Sequence, residues 1–212
     1  PQCPTMWMDD GKGSPLMTNN ESIYVEQVKT LVDSFLAEHE TEIDRDQIFI
    51  AGNSNGGFMA VKQAIAYSDF YAAAVPVCEA VMADLVTEEE LSAMKDVPTW
   101  FVHSRYDFVV APEKTVLPLY RRLQEADARE VHLTLLGNIT DESGLFRYPD
   151  GTPYTYIPHF AWVPVYNNAC RTDADGSPVV KDGLQVGIFE WLRRTRLSQR
   201  KGGKNNAEGN SV

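Results

Sequence analysis

The 212-residue chain has only three cysteines, four histidines and no long apolar run. Each scarcity excludes something. The longest apolar stretches, Tyr71–Cys78 and Pro98–Val102, fall far below the roughly 18 residues that span a bilayer as a helix, so no transmembrane segment is expected. Cys3, Cys78 and Cys170 fit neither a zinc-ligand spacing nor an even disulfide framework. Basic charge is also short, at 19 Lys+Arg against 30 Asp+Glu, a net of −11. Six of those basic residues, Arg193, Arg194, Arg196, Arg200, Lys201 and Lys204, fall after position 192, beside one acid, Glu208. The first 192 residues therefore carry 13 basic and 29 acidic side chains, a net of −16. A body so acidic repels phosphate backbones, which argues against a nucleic-acid partner. What remains is ordinary for a globular protein, 43% hydrophobic with 14 Gly and 12 Pro, and sufficient to bury a core in one domain.

Hydrophobic periodicity then gives an alternation of strands and helices. Asn20 to Glu40 reads as an amphipathic helix with Tyr24, Val28, Leu31, Val32 and Phe35 on one face, opened by the capping-box pattern Thr18-x-x-Glu21. Gln47–Ala51 reads as a strand and Gly57 to Tyr67 as a helix. Tyr71–Val77 reads as a strand, Asp84–Lys95 as a helix, and Pro98–His103 as a strand before a helix that Pro112 opens. Glu130–Leu136 is the fourth strand. Residues 137–183 read as irregular, and Leu184–Leu197 as a closing helix. Four such alternations imply right-handed crossovers and a parallel sheet flanked by helices, an α/β fold. Residues 1–197 form the expected domain, and 198–212 read as a solvated basic tail.

The sharpest local pattern is Gly52-Asn53-Ser54-Asn55-Gly56, a G-x-S-x-G followed by Gly57. It falls between a predicted strand and a predicted helix, the context in which such a turn lifts a serine above a sheet edge. Flanking glycines let the two backbones approach without Cβ clashes. Ser54 is the expected nucleophile, and the backbone N–H of Asn55 at the helix start is the expected donor to a developing oxyanion.

A nucleophilic serine needs a base and an orienting acid, in chain order serine, acid, histidine. His39 sits before the serine at the polar end of a helix and reads as solvated. His103 ends a strand ahead of the acid candidate, and His132 lies inside a strand. His159, in the long loop after the last predicted strand, is the candidate base. Asp107, in the turn after Pro98–His103, is the preferred acid, with Glu79, just past the preceding strand, as its rival.

With those residues in view, Asp46–Gly57 resembles the nucleophile turn of α/β-hydrolase esterases. The nearest likeness is to the branch of feruloyl-esterase-like and polyhydroxybutyrate-depolymerase-like enzymes, with prolyl-oligopeptidase-type hydrolases close by. Phe101–Val110 is similar to that branch's acid loop, Tyr154–Trp162 to its histidine loop, and Pro1–Pro4 to the segment after an upstream strand. The resemblance implies a serine esterase with Ser54, Asp107 and His159 as its triad, an acyl-enzyme intermediate, a small-molecule ester substrate, and neither cofactor nor metal. Family members build about eight strands and take a second oxyanion donor from a loop upstream of the nucleophile. Only four strands are read here, so the amino-terminal strands and that donor are expected to be missing, with an unpaired sheet edge as a consequence.

Other readings remain open at this point: a peptidase or polyester depolymerase using the same triad, or an inactive hydrolase fragment. Cys3 and Cys170 pair as a disulfide if the protein is exported, to which its acidity leans, or all three thiols are free and buried. Asp173-Ala174-Asp175-Gly176 resembles part of a calcium loop without its distal glutamate, and reads better as a turn. Tyr154, Tyr156, Trp162 and Tyr166 flank His159, either lining an aromatic or sugar-linked subsite or packing on a helix.

Overall fold

The structure, a computed structural model, describes residues 1–201. Its centre is a four-stranded parallel sheet in the order β1-β2-β3-β4, formed by Phe49–Asn53, Ala73–Val77, Thr99–Ser104 and Val131–Leu136. The crossovers run through α2 (Asn55–Ala66), α3 (Glu88–Met94) and α4 (Val116–Glu125), with α1 (Val25–Glu38) preceding β1. All strands run one way, so their carboxyl ends share one rim. The turn bearing Ser54, the turn bearing Asp107 and the residue Glu79 all follow such ends.

Alternation along the strands splits the core into two layers. Phe101 and Leu133 face α2, α3 and α4, packing with Phe58, Val61, Leu91, Met94, Leu119 and Leu123. Trp100, Val102, Val75 and Val77 face the other way, onto Ala161, Val163, Ile188 and Trp191. Burial on both faces explains the near-continuous apolar runs of β2 and β3. Pro76 sits mid-strand in β2. Ala74 and Cys78, two residues to either side, donate toward the β3 side, to Pro98 O and Val102 O, so the missing proline N–H falls on that same flank and interrupts the ladder there. β1 has β2 as its one strand partner among the described residues, and Ala51 on it is exposed. The sheet edge expected from the sequence is the strand that leads into Ser54.

Several boundaries differ from expectation. α1 starts at Val25, capped by no side chain; Thr18 and Glu21 make no box, and Glu21 pairs instead with Lys12. Its buried stripe centres on Val28 and Leu36, while Leu31 and Phe35 are exposed, because α1 lays one narrow face on α2. A complete capping box occurs at Thr87 and Glu90, so the expected helix from Asp84 is a short 3₁₀ turn, Ala83–Leu85, followed by α3. Pro112 does not open α4; it belongs to a turn, and the helix begins at Val116.

The stretch 137–183 is more ordered than expected. It holds the two-residue pairs β5 (Ile139–Thr140) and β6 (Thr155–Tyr156), then α5 (Trp162–Tyr166). The closing helix is shorter than expected. Leu184–Gln185 is β8, paired with β7 (Val180–Lys181), and α6 spans Ile188–Arg193. Asp182 and Gly183, both at positive φ, close that hairpin, the local chemistry such a tight turn requires. Asp173–Gly176 is a turn closed by Gly176 N–H to Asp173 O. The basic tail expected from 198 onward begins as structure: α7 (Leu197–Lys201) docks through Ser198 on Asp46, and Arg200 is buried, donating to the carbonyls of Ser68 and Tyr71. Residues 202–212 of that tail lie outside the described residues.

Candidate active site

Ser54 sits between β1 and α2 with φ 57°, a left-handed conformation that costs a non-glycine residue about 1 kcal/mol or more. The surrounding glycines explain how the turn closes. A Cβ on Gly52 would collide with the Gly56 carbonyl, and one on Gly57 would lie 2.6 Å from Val77 O and 2.9 Å from Glu79 Cα. Gly56 has open space around its Cβ direction. The close strand–helix approach thus depends on Gly52 and on Gly57, which lies outside the five-residue pattern. The Ser54 N–H bonds Val77 O at 2.8 Å, fixing the turn to the end of β2.

Three connections converge on this turn. His159, between β6 and α5, places Nε2 2.8 Å from Ser54 Oγ, and its Nδ1 lies 2.7 Å from Asp107 Oδ2. Asp107, three residues beyond β3, has a fully buried side chain, and the His159 side chain is 11% exposed. A carboxylate at Oδ2 accepts, so Nδ1 carries the hydrogen and Nε2 is left to accept from the serine hydroxyl. The other carboxylate oxygen, Oδ1, accepts the N–H groups of Val109 and Val110 at 2.9 and 3.0 Å. Burial pushes the Asp107 carboxyl up, but the donors from His103, His159, Val110 and Val109 outweigh it and hold the group well below the usual carboxylate range. This arrangement can take a proton from a hydroxyl, hold it on an imidazolium beside a fixed negative charge, and return it.

The remaining candidates fall elsewhere. Asn55 is the first residue of α2. Its side chain is engaged, accepting from Met8 N at 3.2 Å and touching Met6 Sδ. Glu79 does not reach His159. It is fully buried, with Oε2 accepting Val81 N–H at 2.7 Å and Oε1 unpartnered, and burial pushes it up to about 8 against that hydrogen bond. His39 is a helix cap near Glu42, and His132 bridges to Asp173. Tyr154, Tyr156 and Trp162 line a cavity of about 530 Å³ with Leu145 and Phe146. Tyr166 packs edge-on against Trp162 at 5.9 Å on its other side, along the β1 edge with Phe189 and Leu192.

Two contacts were not legible in the sequence. The buried His103 places Nε2 3.4 Å from Asp107 Oδ2, and the Cys78 thiol donates to the His159 carbonyl at 3.4 Å. All three cysteines are free, so the Cys3–Cys170 bridge does not form. Among the described residues, Cys78, His103 and Asp107 are the one cluster whose potential metal-ligating atoms lie within 4.8 Å of one another. Burial pushes its thiol up, and its carboxylate is already committed to three N–H donors.

A sequence model of the phospholipase/carboxylesterase family matches residues 2–131, more than half of the chain. The chain belongs to that family of α/β-hydrolases. The matched segment contains Ser54 and Asp107 and ends before His159. No curated protein matches in sequence. Among solved structures, the chain is similar to a thermostable esterase at 23% identity and a TM-score of 0.54, over 80% of this chain and 37% of that one. That likeness supports the fold, and the chain spans little more than a third of the esterase. A phospholipase/carboxylesterase from Dyadobacter fermentans DSM 18053 aligns at 16% identity over 63% of this chain and 61% of its own, with a TM-score of 0.43. No helix among the described residues is long and apolar enough to cross a membrane.

Proposed function

We propose that this phospholipase/carboxylesterase family member is a serine hydrolase that cleaves carboxylic esters of small molecules, with Ser54 as nucleophile, His159 as general base and acid, and Asp107 as the orienting carboxylate. The reading rests on one observation, the continuous hydrogen-bond path from Ser54 Oγ through His159 to Asp107 at 2.8 and 2.7 Å. Those three side chains come from three separate connections at one sheet rim. His159 Nε2 takes the hydroxyl proton as Oγ attacks the ester carbonyl, and Asp107 holds the resulting imidazolium. The Asn55 N–H donates to the tetrahedral oxyanion. The imidazolium then protonates the leaving alkoxide, and water, deprotonated by His159, releases the carboxylic acid from Ser54.

A fluorophosphonate probe and a p-nitrophenyl ester test this together. Wild type should label and turn over, and Ser54→Ala should do neither. Labelling that persists in Ser54→Ala sinks the nucleophile assignment; a folded wild type inert to both reagents sinks the activity.

A further inference from the structure

Asp107 lies against two histidines, of which the proposed reaction uses one. His103, the penultimate residue of β3, is fully buried. Its Nε2 lies 3.1 Å from Val110 O and 3.4 Å from Asp107 Oδ2. Both neighbours are acceptors, so the ring hydrogen resides on Nε2; it is directed to Val110 O, with Asp107 Oδ2 alongside. The opposite nitrogen, Nδ1, is buried with no hydrogen-bond partner. A ring needed only to fill space would be better as phenylalanine or leucine, which strand no nitrogen away from water.

The placement of the Nε2–H gives it a task. One carboxylate oxygen of Asp107 is fixed by its own turn, through Val109 and Val110. The other, Oδ2, is the oxygen that receives His159, and His103 Nε2 lies 3.4 Å from it as a close electrostatic neighbour. Because His103 also bonds the Val110 carbonyl, it clips the far end of the Asp107 turn to β3. Burial pushes the Asp107 carboxyl up, and the contact with His103 is foremost among the neighbours reversing this.

We propose that His103 is a positioning residue, whose Nε2–H, bonded to Val110 O beside Asp107 Oδ2, holds the Asp107 turn in the orientation that receives His159. This deepens the serine-hydrolase reading and rests on it. Loss of the donor lets the carboxylate turn and misplaces the base, an error that acts on the chemical step rather than on ester binding.

The test is a pair of variants of nearly equal size, His103→Gln, whose amide can donate near the Nε2 position, and His103→Met, which cannot. Both are checked for folding by circular dichroism and thermal melting. Expected are a kcat loss of about 10- to 100-fold in His103→Met, KM within about twofold, and recovery of most of that loss in His103→Gln. The far-downfield proton resonance of the His159–Asp107 hydrogen bond should be present in wild type and His103→Gln and lost in His103→Met. Equal impairment of the two variants, or a His103→Met enzyme with unchanged kcat and an unchanged resonance, overturns the proposal. The resonance separates the two readings. If wild type neither labels nor turns over while the resonance still follows the residue-103 donor, the hydrolase reading fails and the positioning role stands.

Discussion

His132 and Asp173 are joined across 41 positions of sequence, with Nδ1 of His132 2.7 Å from Asp173 Oδ2 and Asp173 Oδ1 accepting the Leu133 N–H, also at 2.7 Å. The contact extends into a partly buried network. His132 Nε2 lies 3.6 Å from Glu130 Oε1, too long for a hydrogen bond, and Glu130 accepts from Trp191 Nε1 and Lys181 Nζ at 2.7 and 2.6 Å. The segments after His159 are therefore anchored to β4 by charge as well as by the apolar layer around Trp191.

This network predicts a pH window for stability. Burial pulls the His132 imidazole down, but Asp173 and Glu130 outweigh it and raise it to about 9, from an ordinary value of 6.5. Its contribution is complete below about 6.5 and is lost as pH rises through about 9. Burial pushes Glu130 up, but His132, Lys181 and Trp191 bring it down to about 2, so its contribution fades as pH falls from 4.5 through about 2. His132→Gln should lower the melting temperature clearly at pH 6 and much less at pH 9.5. An equal loss at both values would show that the ring acts by packing alone.

Glu79 predicts the opposite response to substitution. Its buried carboxyl, raised to about 8 from 4.5, stays protonated in the fold over a range where the unfolded chain ionises. Its presence therefore costs stability progressively as pH rises from about 4.5 through about 8, by up to a few kcal/mol. Glu79→Gln should melt higher than wild type at pH 8.5 and about equally at pH 4.5, with turnover little changed. Asp107→Asn should instead lose on the order of 10⁴ in kcat, the scale seen when an orienting aspartate is neutralised.

The turn glycines are predicted to differ sharply. Gly52→Ala and Gly57→Ala each put a methyl against fixed backbone, and should destabilise by about 2–4 kcal/mol, near or above the usual cost of overpacking. Gly56→Ala meets nothing within 4 Å and should be neutral or stabilising by up to about 1 kcal/mol, since alanine is the better helix former. Chemical denaturation of the three variants checks the order.

Thiol chemistry follows burial. Cys3 is half-buried, while Cys78 and Cys170 are buried, with burial pushing Cys170 up to about 12. A thiol reagent should titrate one group in the native protein and three after denaturation without reductant. Fewer than three in the denatured, unreduced protein would reveal a disulfide.

What the sequence determined by itself was set by short-range physics. Runs of β-branched and aromatic residues separated by helical periodicity yield the parallel α/β sheet. Gly52, Ser54 and Gly57 encode a strained strand–helix turn, and the strand–helix alternation puts Ser54 and Asp107 just past strand ends on one rim, whereas His159 reaches them from the loop between β6 and α5. Tertiary structure decided matters that depend on partners distant in sequence. The buried face of α1 follows α2 and leaves Leu31 and Phe35 outside, although periodicity alone groups them with Val28. Arg200 is buried because the carbonyls of Ser68 and Tyr71 await it, some 130 residues upstream. The four-residue interval from His103 to Asp107 was readable, but that His103 turns inward onto the carboxylate depended on the path to Val110. Electrostatic and hydrogen-bond partners are chosen by proximity in the folded state, and a one-dimensional pattern carries that proximity only within a turn or two of the chain.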